Sequence, residues 1–211
     1  MGRRMKIALL VALLMGAGSL AFAAGATVEN IQRRYESIRS FQAEFTQELV
    51  VAASREREER RGVLFFRHPG LIRWETVSPE RELLIVSPEV VWNYFEDEEV
   101  AYRYATEDVL GSATVLRILS GQARLDEEFL TEEDLSEESA SKVIRLRPRN
   151  PEPSLVEAKV WVDPETFVLE QILAMDFYGN TNQVTLHDLQ LDPDLDPGLF
   201  EFTPPEGVAV R

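Results

Sequence analysis

Leu64-Phe65-Phe66-Arg67-His68-Pro69-Gly70-Leu71-Ile72-Arg73-Trp74-Glu75-Thr76-Val77-Ser78-Pro79 decides the fold class of this chain. Bulky side chains flank Pro69-Gly70, a dipeptide that turns the backbone, and Ser78-Pro79 stops the second run. The stretch reads as strand, tight turn, strand. Alternate side chains of a strand share a face. Leu64, Phe66 and His68 therefore stand together, and so do Ile72, Trp74 and Thr76. The hairpin offers almost nothing for covalent chemistry. It suits a surface that holds an apolar ligand.

Outward from this hairpin the strand signals continue. Glu82–Val86, Val90–Tyr94 and Val100–Tyr104 follow, separated by Ser87-Pro88 and Glu96-Asp97. After residue 140, Lys142–Arg147, Leu155–Val162, Val168–Phe177 and Thr181–Leu191 repeat the pattern, with turns at Asp163–Thr166 and Tyr178–Asn180. Short strands at this spacing predict an antiparallel meander. Before the hairpin, Phe41, Ala43, Phe45, Gln47 and Leu49 alternate with Gln42, Glu44, Thr46 and Glu48, a period of two.

Two helices are expected. Thr27 reads as the N-cap of the first, with Val28, Ile31, Tyr35 and Ile38 on its apolar stripe. Ser112 reads as the cap of the second, Val115, Leu116 and Leu119 as its stripe, and Gly121 as its stop. The charged runs Arg55–Arg61 and Asp126–Glu138 read as solvated hairpin surface, the second with Phe129, Leu130 and Leu135 available to keep it partly packed. Leu83-Leu84-Ile85-Val86 and Val63-Leu64-Phe65-Phe66 are apolar on both faces, so something covers the second side of the sheet. A curved sheet with helices across its mouth satisfies this, and so does a two-layer α+β core without a cavity.

The N-terminus has the form of a secretory leader. Arg3, Arg4 and Lys6 precede the apolar run Ile7–Met15, and Ala21-Phe22-Ala23 supplies a small-residue cleavage site. We expect residues 1–23 to be removed, leaving a single domain over residues 24–211. The run is too short for a bilayer, which takes about 20 residues. The chain has no cysteine, which excludes disulfides, thiolate metal sites and acylation at a lipobox cysteine. An exported protein without cysteine fits a bacterial periplasm. Its formal net charge is −15, and loss of the leader makes it more acidic. Nucleic acid and bare anionic lipid would both repel it.

No constellation of catalytic residues is signalled: carboxylates are abundant, and a glycosidase pair among them is open but unmarked by any motif. The two histidines, His68 and His187, stand far apart and outside any metal-binding spacing. There is no Cys nucleophile and no G-x-S-x-G elbow. Asp192-Pro193-Asp194-Leu195-Asp196-Pro197-Gly198 has the alternating acids of a calcium loop. Pro197 stands where that loop needs glycine, so a plain turn is expected. Neither metal, cofactor nor enzymatic activity is expected.

Five segments in order carry a resemblance. They are Ser40–Gln47, Gly62–Glu75, Val91-Trp92-Asn93-Tyr94, Asp176–Asn180 and Phe200–Val208. Together they resemble the periplasmic lipoprotein carrier family, LolA. The resemblance implies a mainly β (α+β) fold: an unclosed antiparallel β-barrel, or half-barrel, with a helical lid covering an apolar cavity. It implies a monomeric carrier in the periplasm that binds the acyl chains of lipoproteins. Its implied partners are acylated lipoproteins as cargo, an inner-membrane ABC transporter that releases them, and an outer-membrane acceptor that receives them. The residues alone also admit a lipid-sensing or lipid-transfer half-barrel that acts through a protein partner.

On this reading the cavity is lined by Phe45, Leu64, Phe66, Ile72, Trp74 and Trp92. The lid carries Val28, Ile31, Tyr35, Ile38, Val115, Leu116 and Leu119. The family places an arginine before the hairpin proline, where it bonds toward the lid. Here His68 takes that position, with Arg67 beside it; both are latch candidates, and closure by a different contact is the alternative. A latch through His68 would make closure respond to mild acid, since free histidine titrates near about 6.5.

Overall fold

A computed structural model describes residues 16–110, 114–136, 139–150 and 152–211. In chain order its elements are α1 (Gly16–Ser37), β1 (Ser40–Val50), β2 (Arg57–Arg67), β3 (Leu71–Ser78), β4 (Glu82–Val86), β5 (Val90–Phe95) and β6 (Val100–Ala105). Then come α2 (Thr106–Leu110), α3 (Thr114–Leu119), α4 (Leu125–Glu128), β7 (Phe129–Glu133), β8 (Lys142–Pro148), β9 (Glu157–Val162), β10 (Leu169–Met175) and β11 (Thr181–Leu191). A 3₁₀ turn, Pro197–Phe200, leads to the short β12 (Ala209–Val210).

All strands join one sheet in the order β12-β6-β5-β4-β3-β2-β1-β11-β10-β9-β8-β7. Every pairing is antiparallel except that of β12 with β6. The edges β12 and β7 do not pair, so the barrel stays open, as the resemblance implied. β1 lies at the middle because Phe41↔Phe66 on one side and Phe41↔Leu191 on the other continue one apolar row. The concave face collects the residues that alternation had grouped. Phe41, Ala43 and Phe45 of β1 meet Leu64 and Phe66 of β2 and Ile72 and Trp74 of β3, all buried. Phe41 stacks on Phe66 at 5.2 Å between ring centroids, and Phe45 tilts against Trp74 at 4.6 Å.

Helices cover this face. Val28, Ile31 and Tyr35 of α1 and Ile38 just after it are buried in the same cluster, with Ile118 and Leu119 of α3. Tyr35 Oη accepts a hydrogen bond of 3.2 Å from the Leu169 backbone N–H, which satisfies its hydroxyl inside the core. That burial raises its pKa above the ordinary tyrosine value.

Three local readings are corrected. Thr27 is not an N-cap: α1 begins at Gly16, because the alanine-rich segment before Thr27 continues the helix. The expected leader signals Arg3, Arg4, Lys6 and Ile7–Met15 lie outside the described residues, as does Ser112. The charged run Arg55–Arg61 is largely strand, since β2 begins at Arg57. Cross-strand pairs such as Arg57 with Glu48, 2.9 Å apart, support pairing there. Asp126–Glu138 is not a bare connection either: it holds most of α4 and β7, with Phe129 buried.

The convex face explains the strands that are apolar on both sides. Beside them, the C-terminal segment and not a helix lies against this face at β3 and β5. The Leu199 carbonyl accepts a hydrogen bond from Arg73 Nη1 at 3.2 Å. Phe202 packs on Trp92 and Tyr94, with ring centroids 5.7 and 5.3 Å apart. Gly121 ends the α3 region, as expected, at φ +69° and directly against Tyr35 of α1; a Cβ there would stand 2.6 Å from Tyr35 Cβ. The acidic loop at residues 192–198 is a turn: Asp192 accepts from the Arg39 N–H at 2.8 Å, and Asp196 from the Gly198 N–H at 2.9 Å.

Candidate functional site

The concave face is apolar at depth and opens toward the end where β1, β10 and β11 meet α3. A cavity of about 460 Å³ opens there, walled by Leu49, Val50, Leu155 and Ala174 and roofed by Val115 and Leu116. A second cavity of about 170 Å³ lies on the other side of the same two roof residues, against Trp74 and Leu84. Val115 and Leu116 border both spaces, so α3 sits between them as a partition. Movement of α3 away from the sheet would join the two and expose Trp74 and the buried row behind it.

This arrangement places the expected lining residues unevenly. Phe45, Leu64, Phe66 and Ile72 lie on the concave face but are covered by the helices and packed on one another. Trp74 borders the smaller cavity. Trp92 does not belong to the lining, and that expectation is corrected. It pairs with Ile85 while its neighbour Val91 pairs with Val86, so its ring points to the convex face. Phe202 contacts it there, and Arg103 stands over its ring, 6.0 Å from the centroid. Trp92 is an anchor for the C-terminal segment.

The lid residues fall into two groups. Val28, Ile31, Tyr35, Ile38 and Leu119 are fully buried, whereas Val115 and Leu116 are half-buried beside open space. The first group holds the helices down. The second has room to change its contacts.

The latch candidates are not engaged. His68 is exposed in the β2–β3 turn, and among the described residues no hydrogen bond or ion pair reaches its imidazole. Only its backbone is tied, by donation to the Arg39 carbonyl at 2.8 Å. Arg67 makes no side-chain bond among the described residues. His68 fails because the turn aims it at solvent. The turn meets the lid region instead at Gly70, where a Cβ would stand 2.3 Å from Gln122 Nε2. The charged tie lies elsewhere: Arg117 of α3 bonds the Glu128 carboxylate at the end of α4. Glu128 also accepts from the Arg124 N–H at 2.8 Å.

Several cavity residues were missed from sequence. Leu49 and Gln47 shared the parity of Phe45, so the signal was present in the alternation of β1. Arg60 was hidden because its segment read as a solvated run. At the rim, Phe177 and Tyr178 are 71 % and 75 % exposed on the β10–β11 turn, which Asp176 braces through the N–H groups of Tyr178 and Asn180. Such exposure of two adjacent aromatics marks the rim as a contact surface.

The profile of the family described as outer membrane lipoprotein carrier protein LolA matches residues 36–203. An outer-membrane lipoprotein carrier protein of Methylococcus capsulatus is 30 % identical over 175 residues, 83 % of this chain and 82 % of the relative. One from Bordetella avium is 27 % identical over 200 residues, 95 % of this chain and 93 % of the relative. Among solved structures, a conserved protein of Thermus thermophilus superposes with a TM-score of 0.57 at 13 % identity, covering 90 % of this chain and 98 % of that one. The lipoprotein LppX of Mycobacterium tuberculosis gives 0.52 at 10 % identity, covering 82 % and 97 %. At such identities these structures bear on the fold alone. The open sheet, its helical cover and the extent of the sequence match agree, and the chain belongs to the LolA family of outer-membrane lipoprotein carrier proteins.

Proposed function

We propose that this protein carries acylated lipoproteins across the periplasm, shielding their acyl chains from water; its relatives are named outer-membrane lipoprotein carrier proteins. The observation that supports this most directly is the partition made by Val115 and Leu116. An apolar concave face is covered by a short helix with open space on both sides, so the cover can lift without unfolding the sheet. The physics of cargo transfer asks for this. Each methylene moved from water to an apolar site is worth about 0.8 kcal/mol, so a long acyl chain is worth on the order of 10 kcal/mol. A carrier has to match that with buried surface, yet release its load. A lid that shifts between two populated positions meets both demands.

On this reading residues 1–23 form a leader, and 24–211 form the carrier domain. The cargo comes from a lipoprotein-releasing ABC transporter of the inner membrane and passes to an acceptor at the outer membrane. The lid and cavity do the work by binding and not by catalysis.

Purified protein incubated with inner-membrane vesicles that hold a labelled acylated lipoprotein tests the proposal. Release of the lipoprotein as a soluble one-to-one complex is expected, in an ATP-dependent manner. Recovery of free lipid alone, or of no acylated protein, would overturn it.

A further inference from the structure

The concave face is not apolar throughout. Near the cavity mouth a polar row crosses five adjacent strands: Asn182 on β11, Gln47 on β1, Arg60 on β2, Thr76 on β3 and Glu82 on β4. All five border the smaller cavity, opposite Trp74, Leu84, Val115 and Leu116. Gln47 stands directly across from Arg60 in the β1–β2 register, and Thr76 across from Glu82 in that of β3–β4. Gln47 Nε2 donates to Asn182 Oδ1 at 2.9 Å. Arg60 Nη1 donates to Glu82 Oε2 at 3.0 Å, and Arg60 Nε to Glu58 at 2.6 Å. Arg60 and Glu82 are only 30 % and 21 % exposed.

We propose that this row is the subsite for the linkage region of the cargo, where the acyl chains join their head through ester and amide carbonyls. The inference rests on the carrier reading and names the part of the cargo recognised. A carbonyl oxygen drawn into a partly dry cavity needs a donor, since an unpaired polar group there opposes binding. The row supplies donors at the level where the apolar lining stops. Among the described residues no partner takes Arg60 Nη2 or Asn182 Nδ2, so both N–H groups can turn to an acceptor. Gln47 Oε1 is open as an acceptor for an amide N–H. The charge balance sets the ligand class. Glu82 already neutralises Arg60 and would repel a phosphate, so the row suits neutral carbonyls and not a phospholipid head group. The result is a site that measures where the chains end: methylenes lie beyond the row and carbonyls lie on it.

The test compares a synthetic diacylglyceryl-cysteinyl peptide with its ether-linked analogue, which has the same chains but lacks the ester carbonyls. The wild-type chain should bind the ester form about tenfold more tightly. The paired variant R60M/E82Q removes the charged donor without leaving the half-buried Glu82 carboxylate unpaired; Glu58, which also loses Arg60, is 47 % exposed and keeps its water. The variant's preference for the ester form should fall from about tenfold to about twofold or less, Asn182 Nδ2 supplying what remains. Thermal unfolding of the variant reports that it is folded, and R60K should restore part of the preference. Equal binding of the two forms by the wild type overturns the proposal, as does a preference that survives undiminished in R60M/E82Q. Equally tight binding of a diether phospholipid, which has a phosphate but no ester carbonyl, lost in the variant, overturns it in favour of a phosphate site. If neither peptide binds the wild type at all, the carrier reading fails first and takes this inference with it.

Discussion

One guanidinium nitrogen of Arg117 donates to both carboxylate oxygens of Glu128, at 2.6 Å each, and so ties α3 to the helix that follows it. The two side chains are 24 % and 32 % exposed, so water screens the pair in part. A charge-assisted bond in such a setting is worth about 1–2 kcal/mol. That is enough to bias a lid and too little to lock it.

Replacing Arg117 with methionine keeps much of the side-chain stem and removes the tie. Amide exchange in residues 114–119 should quicken by about fivefold or more, while exchange in β1 and β2 stays as it is. E128Q should do the same to a smaller extent. If exchange in α3 is the same in R117M and wild type, the pair does not hold the lid.

His68 should be dispensable for closure. Its imidazole is exposed and meets no partner among the described residues. His68→Gln is expected to leave acyl-probe affinity, and the pH dependence of that affinity between 5.5 and about 7.5, unchanged. A shift of the pH profile in the variant would restore the histidine latch.

Gly62 is a steric necessity. A Cβ placed on it would stand 1.8 Å from the Glu75 carbonyl oxygen and 2.8 Å from Phe45 Cε1. Gly62→Ala therefore has to push β2 away from β3 or turn Phe45 off Trp74. We expect a loss of at least about 2 kcal/mol in urea unfolding, more than an alanine normally costs in a strand.

Much of the fold was legible because alternation is a strong signal where one face is buried. Phe41, Ala43 and Phe45 announced β1, and Pro69-Gly70 announced the hairpin. Trp92 was misplaced because an isolated aromatic strand carries no mark of which face is inward. Only its register, with Val91 against Val86, fixes that. The C-terminal cover was illegible for a related reason: Phe202 packs on residues more than a hundred positions earlier, and no local pattern encodes such a contact. Arg60 was lost because charge density was taken as a sign of solvent. Alternating charges on a strand place every second one on the inner face.

Acid should weaken the far edge of the sheet first. Hydrogen bonds from Ser136, Lys159 and Arg145 hold the Asp134 carboxylate well below the usual aspartate range, and its side chain is only 4 % exposed. A carboxylate depressed in the folded state stabilises it fully above the unfolded value, near about 3.9, and the contribution is lost as pH falls below that toward the folded value. Stability of the wild type should therefore drop below about pH 4. Asp134→Asn should lower stability at pH 7 by about 2 kcal/mol, because Arg145 and Lys159 lose their common partner. It should also flatten the acid limb of the curve. A limb as steep in the variant as in the wild type would assign the acid sensitivity to other carboxylates.

The partition itself offers the sharpest separation of lid from core. Val115 and Leu116 are half-buried and border both cavities, whereas Phe45 is wholly buried beside Trp74. Truncating the first two residues to alanine should join the two spaces at modest cost, about 1–2 kcal/mol, because open volume already lies beside them. A fluorescent fatty-acyl probe should then enter faster, since less of the lid has to move, and leave faster as well, since fewer contacts hold it. Phe45→Ala should behave in the opposite way: a stability loss of about 3–5 kcal/mol, with probe kinetics altered only as far as the fold loosens. Stopped-flow mixing with the probe, read beside urea unfolding, distinguishes the two. If V115A/L116A slows probe entry, α3 is part of the binding wall and not its gate.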